Sequence, residues 1–149
     1  MKSLFDPEAV SEIMHRLDAL TPDAKREWGK MTVGQMLAHC SVTFEMAMGR
    51  NNPPQVLIGR LIGRFFKSQY SSDRPFGNGT PTDASLVMTG EKDFNKERAH
   101  LKDEIKEFAA GGAAGVTKHP HPFFGILTPG EWAIGMYKHL DHHLRQFGK

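Results

Sequence analysis

The stretch Thr128-Pro-Gly-Glu-Trp-Ala-Ile-Gly-Met-Tyr-Lys-His-Leu-Asp-His-His-Leu-Arg-Gln-Phe-Gly148 reads as one helix with both ends marked. Thr128 and Glu131 have the spacing of a capping box, in which each side chain satisfies the other residue's backbone N–H. Pro129 takes the first helical position, where a missing N–H costs nothing. Gly148 ends the run after Phe147. At about 100° per residue, Trp132, Met136, Leu140, Leu144 and Phe147 share one arc. His139 and His143 stand one turn apart at the edge of that arc, separated by about 40°. Two imidazoles so placed can converge on one ion about 2 Å from each nitrogen. His142 falls about 60° to the other side, beside Lys138 and Gln146, and is the weaker donor. An i, i+3 pairing of His142 with His139 stays open.

Working outward, four more segments have helical patterns. The first opens at Asp6-Pro7 and runs to about Leu20, with Val10, Ile13, Met14 and Leu17 on its stripe. The second is capped by Thr32 with Gln35 and continues through Met48 to Gly49. The third lies between Pro53-Pro54 and about Ser68; its apolar positions are Leu57, Ile58, Leu61, Ile62, Phe65 and Phe66. The fourth runs from about Asp93 to Ala110 and stops at Gly111-Gly112, with Phe94, Leu101, Ile105 and Phe108 as core candidates. Residues 70–92 and 112–127 are long loops, with only Ser85 to Met88 suggesting an extended piece. Long irregular loops in compact domains are often functional.

The chain of 149 residues has the length of one domain, 1–149, and can bury a core without staples. A hydrophobic share of 39% and a charged share of 24% are ordinary for a globular protein. The net charge of +2 and the lack of a basic stripe argue against a nucleic-acid partner. Cys40 is the sole cysteine, which fits a reducing, cytoplasmic compartment. Met1 to Ala9 carries Asp6 and Glu8 where a signal peptide needs an apolar run. No stretch approaches the roughly 20 apolar residues of a membrane span.

A two-histidine site needs a third ligand from another helix. His39 is the only histidine of the second helix, a very apolar segment, with Met36, Thr43 and Met46 on its flank. Buried without a partner, such an imidazole would cost about 1–3 kcal/mol; binding an ion would satisfy it. Three protein ligands with one position open is the pattern of catalytic metal sites. The competing reading is a buried polar network of histidines with no ion. Leu140 follows His139 where a His-Glu-x-x-His protease would have its glutamate, which argues against that mechanism.

The segments His121-Pro-Phe-Phe-Gly-Ile-Leu-Thr-Pro-Gly-Glu-Trp132, Tyr137-Lys-His-Leu-Asp-His-His-Leu-Arg-Gln-Phe-Gly148 and Trp28-Gly-Lys-Met-Thr-Val-Gly-Gln-Met-Leu-Ala-His39 resemble the DUF1569 family. That family is grouped with the DinB/YfiT-like superfamily of metalloenzymes. The resemblance implies an all-α fold: a four-helix bundle with up-down-down-up connectivity, long loops and room for a short extra helix. It implies a metal held by one histidine of the second helix and a His-x-x-x-His pair of the last, which are His39, His139 and His143 here. It further implies a divalent transition metal, zinc or nickel first, and a low-molecular-weight thiol as co-substrate for transfer to a small molecule, or else hydrolysis. Relatives often continue the last motif as His-His-Arg-Gly-Gln, whereas Leu144-Arg145-Gln146 follow here, so the arginine and glutamine roles do not carry over. The alternative class is a non-catalytic, metal-stabilised binding or dimerisation module.

His121, in the loop feeding the metal helix, is a candidate proton shuttle or added ligand; a loop histidine held by flanking prolines is the plainer reading. His15, His100 and His119 read as surface residues, Cys40 as a buried inert thiol. Arg60, Arg64 and Lys67 read as the solvated face of an amphipathic helix, or as a collector of an anionic substrate. Gly59 and Gly63 have the spacing of close helix packing, which suggests a homodimer seam. The apolar stripe of the third helix is assigned to the core, which sets a membrane-surface role aside.

Overall fold

The computed structural model describes residues 1–79 and 86–149. It contains five α-helices and, among the described residues, no strand: α1 Pro7–Asp18, α2 Val33–Ala47, α3 Leu57–Tyr70, α4 Phe94–Gly111 and α5 Pro129–Gln146. A short 3-10 turn, Gly112–Gly115, follows α4. Ser85 lies outside the described residues, and Leu86 to Met88 form no strand.

The helix starts are local chemistry. Thr32 accepts from the Gln35 N–H while the Gln35 side chain accepts from the Thr32 N–H, and Thr128 with Glu131 does the same for α5. Asp93 caps α4 through the Lys96 N–H at 2.8 Å. Asp6 makes no such bond, and α1 relies on Pro7 at its first turn. Gly112 closes α4 with φ +52, a conformation that resists a side chain.

α2 packs on α4 and α5, and α1 packs on the same two helices. Their shared core holds Ile13 and Leu17, then Met36, Leu37, Cys40 and Phe44. Leu101, Ile105 and Phe108 of α4 and Trp132, Met136, Leu140 and Leu144 of α5 are buried in the same cluster. Phe44 and Phe108 meet edge-to-face at 5.5 Å. At the rim, Arg16 of α1 donates to Asp141 of α5 at 2.9 Å and to the Lys149 carbonyl at 3.0 Å. Arg50 pairs with Glu104 and Glu107 of α4.

α3 departs from the sequence expectation. Its large apolar residues do not join the core: Leu57 is 72% exposed, Leu61 66% and Phe65 65%, and Ile58, Ile62 and Phe66 are exposed as well. The helix instead buries Gly59, Gly63 and Tyr70. The two glycines sit against the backbone of Pro122 and Phe123, so closely that a Cβ on either would collide with a carbonyl oxygen. Tyr70 lies on the bare face of Gly135 in α5, and the Val56 N–H donates to the Pro122 carbonyl at 2.9 Å. The glycine spacing therefore serves close packing on the chain's own loop. Close backbone approach outweighed the burial of larger side chains.

Candidate metal centre

His39 projects from the middle of α2, and His139 and His143 from consecutive turns of α5, where the two helices pack. The three imidazoles form one cluster, with ring centroids 4.6–5.0 Å apart in pairs. His39 Nε2 is 3.0 Å from His139 Nε2, which is 3.1 Å from His143 Nε2. Ligand nitrogens about 2.0–2.1 Å from a tetrahedral ion lie roughly 3.3 Å from each other, so the spacing is of the right size. Among the described residues this is the one group of three such side chains with donor atoms all within 4.8 Å.

The other nitrogen of each ring faces an acceptor that can take its proton. Gln146 Nε2 donates to the Trp28 carbonyl at 2.9 Å, so the Gln146 Oε1 is left as an acceptor, and His143 Nδ1–H donates to it at 2.9 Å. His39 Nδ1–H donates to the Leu86 carbonyl at 2.9 Å. The Thr43 hydroxyl gives its hydrogen to the Cys40 carbonyl at 2.7 Å, which leaves its oxygen to accept from His139 Nδ1–H at 3.4 Å. His39 and His143 thus carry their protons on Nδ1, and His139 matches them when its Nδ1–H is turned to Thr43. Three Nε2 lone pairs then face one another with no proton between them. Lone pairs at 3 Å repel, and a cation among them removes the conflict. Orientation of metal-binding imidazoles by acceptors at the distal nitrogen is the general arrangement of such sites.

Burial keeps the rings neutral. It pushes His143 down to about 3, aided by the neighbouring His39, and pulls His39 below its ordinary value. His139 is also held well below its ordinary value, by burial first and then by His143 and His39. Neutral imidazole is the form that binds metal. His39 is 2% exposed and His143 7%, and His139 is partly covered.

Other sequence candidates lie elsewhere. His142 is outside the cluster, its ring 5.6 Å from Trp28 and 6.0 Å from Phe76. The His121 Nδ1 accepts from the Phe123 and Phe124 N–H groups at 3.0 and 3.2 Å, and its ring packs on Phe124 and Trp132. With its backbone bridged to Gly125 at 2.8 and 3.1 Å, it organises the turn that seats α3. His15, His100 and His119 are exposed. Cys40 is fully buried, and burial raises its thiol far above the ordinary value. The partners Thr43, Gln146 and Leu86 were not singled out as site residues from sequence. Gln146 stands three residues from His143 and carried a usable signal; a backbone carbonyl carries none.

No curated protein and no solved structure matches the chain. The family model described as "Protein of unknown function (DUF1569)" matches residues 2–149, so the chain belongs to the DUF1569 family.

Proposed function

We propose that this protein is a metal-dependent enzyme of the DinB/YfiT-like kind, built on a four-helix bundle of α1, α2, α4 and α5 in up-down-down-up order. His39, His139 and His143 would hold one divalent transition ion, zinc or nickel, and a small molecule would be the substrate. The observation that carries this reading is the convergence of three imidazole Nε2 atoms whose Nδ1 atoms each face an acceptor. When bound, the ion would supply Lewis acidity, lowering the pKa of a water or thiol at its open position. Thiol transfer to an electrophilic small molecule is placed ahead of hydrolysis by family analogy alone. The lone, buried Cys40 agrees with a reducing, cytoplasmic setting where such thiols are abundant.

The chain's own residues supply orientation and access. Leu86, Thr43 and Gln146 hold the rings so that their Nε2 atoms converge, and a substrate would approach past His139, the least covered of the three. If His121 moves a proton, it does so at Nε2, because Nδ1 is engaged by two backbone N–H groups. Burial brings His121 down to about 4, so it is neutral at physiological pH.

The test is elemental analysis of untagged protein beside His39→Ala and His143→Ala, followed by a screen of thiols and electrophiles with the loaded protein. About one equivalent of metal in the wild type, lost in both variants, with thiol-dependent turnover, supports the reading. A wild type that takes up neither zinc nor nickel sinks it. The deep burial of His39 and His143 favours a second reading, a non-catalytic module stabilised by its ion. In that case chelation unfolds the chain instead of leaving it folded and inactive.

A further inference from the structure

α3 carries a surface that neither the metal cluster nor the packing of the other helices uses. Leu57, Ile58, Leu61, Ile62, Phe65 and Phe66 cover roughly half its circumference, all turned to solvent. Together they expose on the order of 600 Å² of apolar area, at the upper end of what the largest patch of a typical monomer shows. Arg60, Arg64 and Lys67 line one rim of this face. From Arg50 to Ser72 the chain contains no Asp or Glu. Lys67 is engaged by Glu131 at 3.0 Å, and Arg50 by α4. Arg60 and Arg64 have no ion-pair partner among the described residues; Arg64 lies over the Phe65 ring at 4.7 Å.

We infer that α3 is a docking helix for an anionic lipid surface. The apolar face enters the region between headgroups and acyl chains, while Arg60 and Arg64 reach the phosphates along its rim. Three features select this occupant. The first is composition: a helix rich in Leu, Ile and Phe, with cations and no anions, suits an interface where apolar burial and attraction to anionic lipid act together. The second is length. α3 has 14 residues, and no helix among the described residues is long and apolar enough to cross a membrane, so it lies on the surface.

The third is the poor fit of a second copy. Two α3 faces would bury on the order of 1,200 Å², the lower edge of stable interfaces and well short of obligate homodimers. An antiparallel two-fold pairing would also bring Arg60 and Arg64 of both copies along one edge, with no acid on either helix. The membrane role was set aside on the premise that the core takes the apolar stripe. In the folded chain it does not.

Co-sedimentation of the full chain with vesicles tests this, using equimolar phosphatidylglycerol and phosphatidylcholine against phosphatidylcholine alone. The expected result is salt-sensitive binding to the anionic vesicles only. Partitioning should fall by about tenfold or more in the double variant Arg60→Glu, Arg64→Glu, and by about tenfold in Phe65→Ser. All three positions are exposed, so helical content and thermal midpoint should hold in each variant. Equal binding to both vesicle types, or binding to neither, overturns the inference. So does a concentration-dependent dimer in sedimentation velocity that Phe65→Ser dissociates, since the face would then belong to a second copy.

Discussion

α5 and α3 invert the usual rule in opposite senses. α5 buries Lys138, His143 and Gln146 against its neighbours and half-buries His139, while α3 holds Leu57, Leu61 and Phe65 out in solvent. Both inversions have a local cause. On α5 the polar groups of the cluster each have a partner, His143 in Gln146, Gln146 in Trp28 and His139 in Thr43, although the buried Trp132 Nε1 has none among the described residues. A buried polar group with a partner costs little, so the pattern can be spent on binding. On α3 the two glycines permit a backbone-to-backbone seat on Phe123, which only a face without side chains can make. Polarity predicts burial only after partners and shape have been counted.

Four substitutions sharpen or break that contrast. The largest effect is expected at His139→Ala. Outer partners of metal ligands change affinity by about 10–100-fold, and loss of a ligand should exceed about 100-fold in a competition titration against a chromophoric chelator. An unchanged affinity would move the site away from α5. Gly63→Ala comes next, because the added methyl meets the Phe123 carbonyl rather than a yielding side chain. It should lower stability by about 3 kcal/mol in urea unfolding. If it is neutral, α3 is not seated where the structure has it.

His121→Phe follows, keeping a ring but removing the acceptor for two backbone N–H groups, at a cost of about 2 kcal/mol above pH 6.5. The sign with pH follows from the direction of the shift. His121 is depressed from 6.5 to about 4 in the folded chain, so the unfolded chain takes up the proton first as pH falls. Its contribution is whole above pH 6.5 and is lost between pH 6.5 and about 4. Thermal midpoints of wild type and variant should therefore converge across that window; a constant gap would refute the turn-organising role. Smallest of all is Phe65→Ser, within about 0.5 kcal/mol in the same unfolding assay, since its side chain is already in water. A large loss there would mean that the apolar face is covered in the folded protein.

The contrast also marks what could be read from the chain alone. Both capping boxes, the Gly112 stop and the core of α4 are short-range patterns, and each is where the sequence indicated. His139 and His143 share a face through simple helical arithmetic, and His39 was found as a polar residue on an apolar helix. What escaped depended on distant partners. The Leu86 carbonyl reaches His39 from 47 positions away. The orientation of α3 is decided by the Phe123 backbone, on a loop about 60 residues downstream whose path no periodicity encodes. Apolar spacing identified α3 as a helix and could not say which side would face the protein.

The Trp28 carbonyl ends the relay from His143 through Gln146, and the Trp28 ring stands beside His142. The only other indole, Trp132, packs at a tilt against His121, 5.3 Å between ring centroids. The chain therefore carries its own optical gauge. A paramagnetic ion entering the histidine cluster should dim Trp28 emission, and a diamagnetic one should shift it as the relay tightens. Occupancy can then be followed in unlabelled protein, in real time, before any substrate is known.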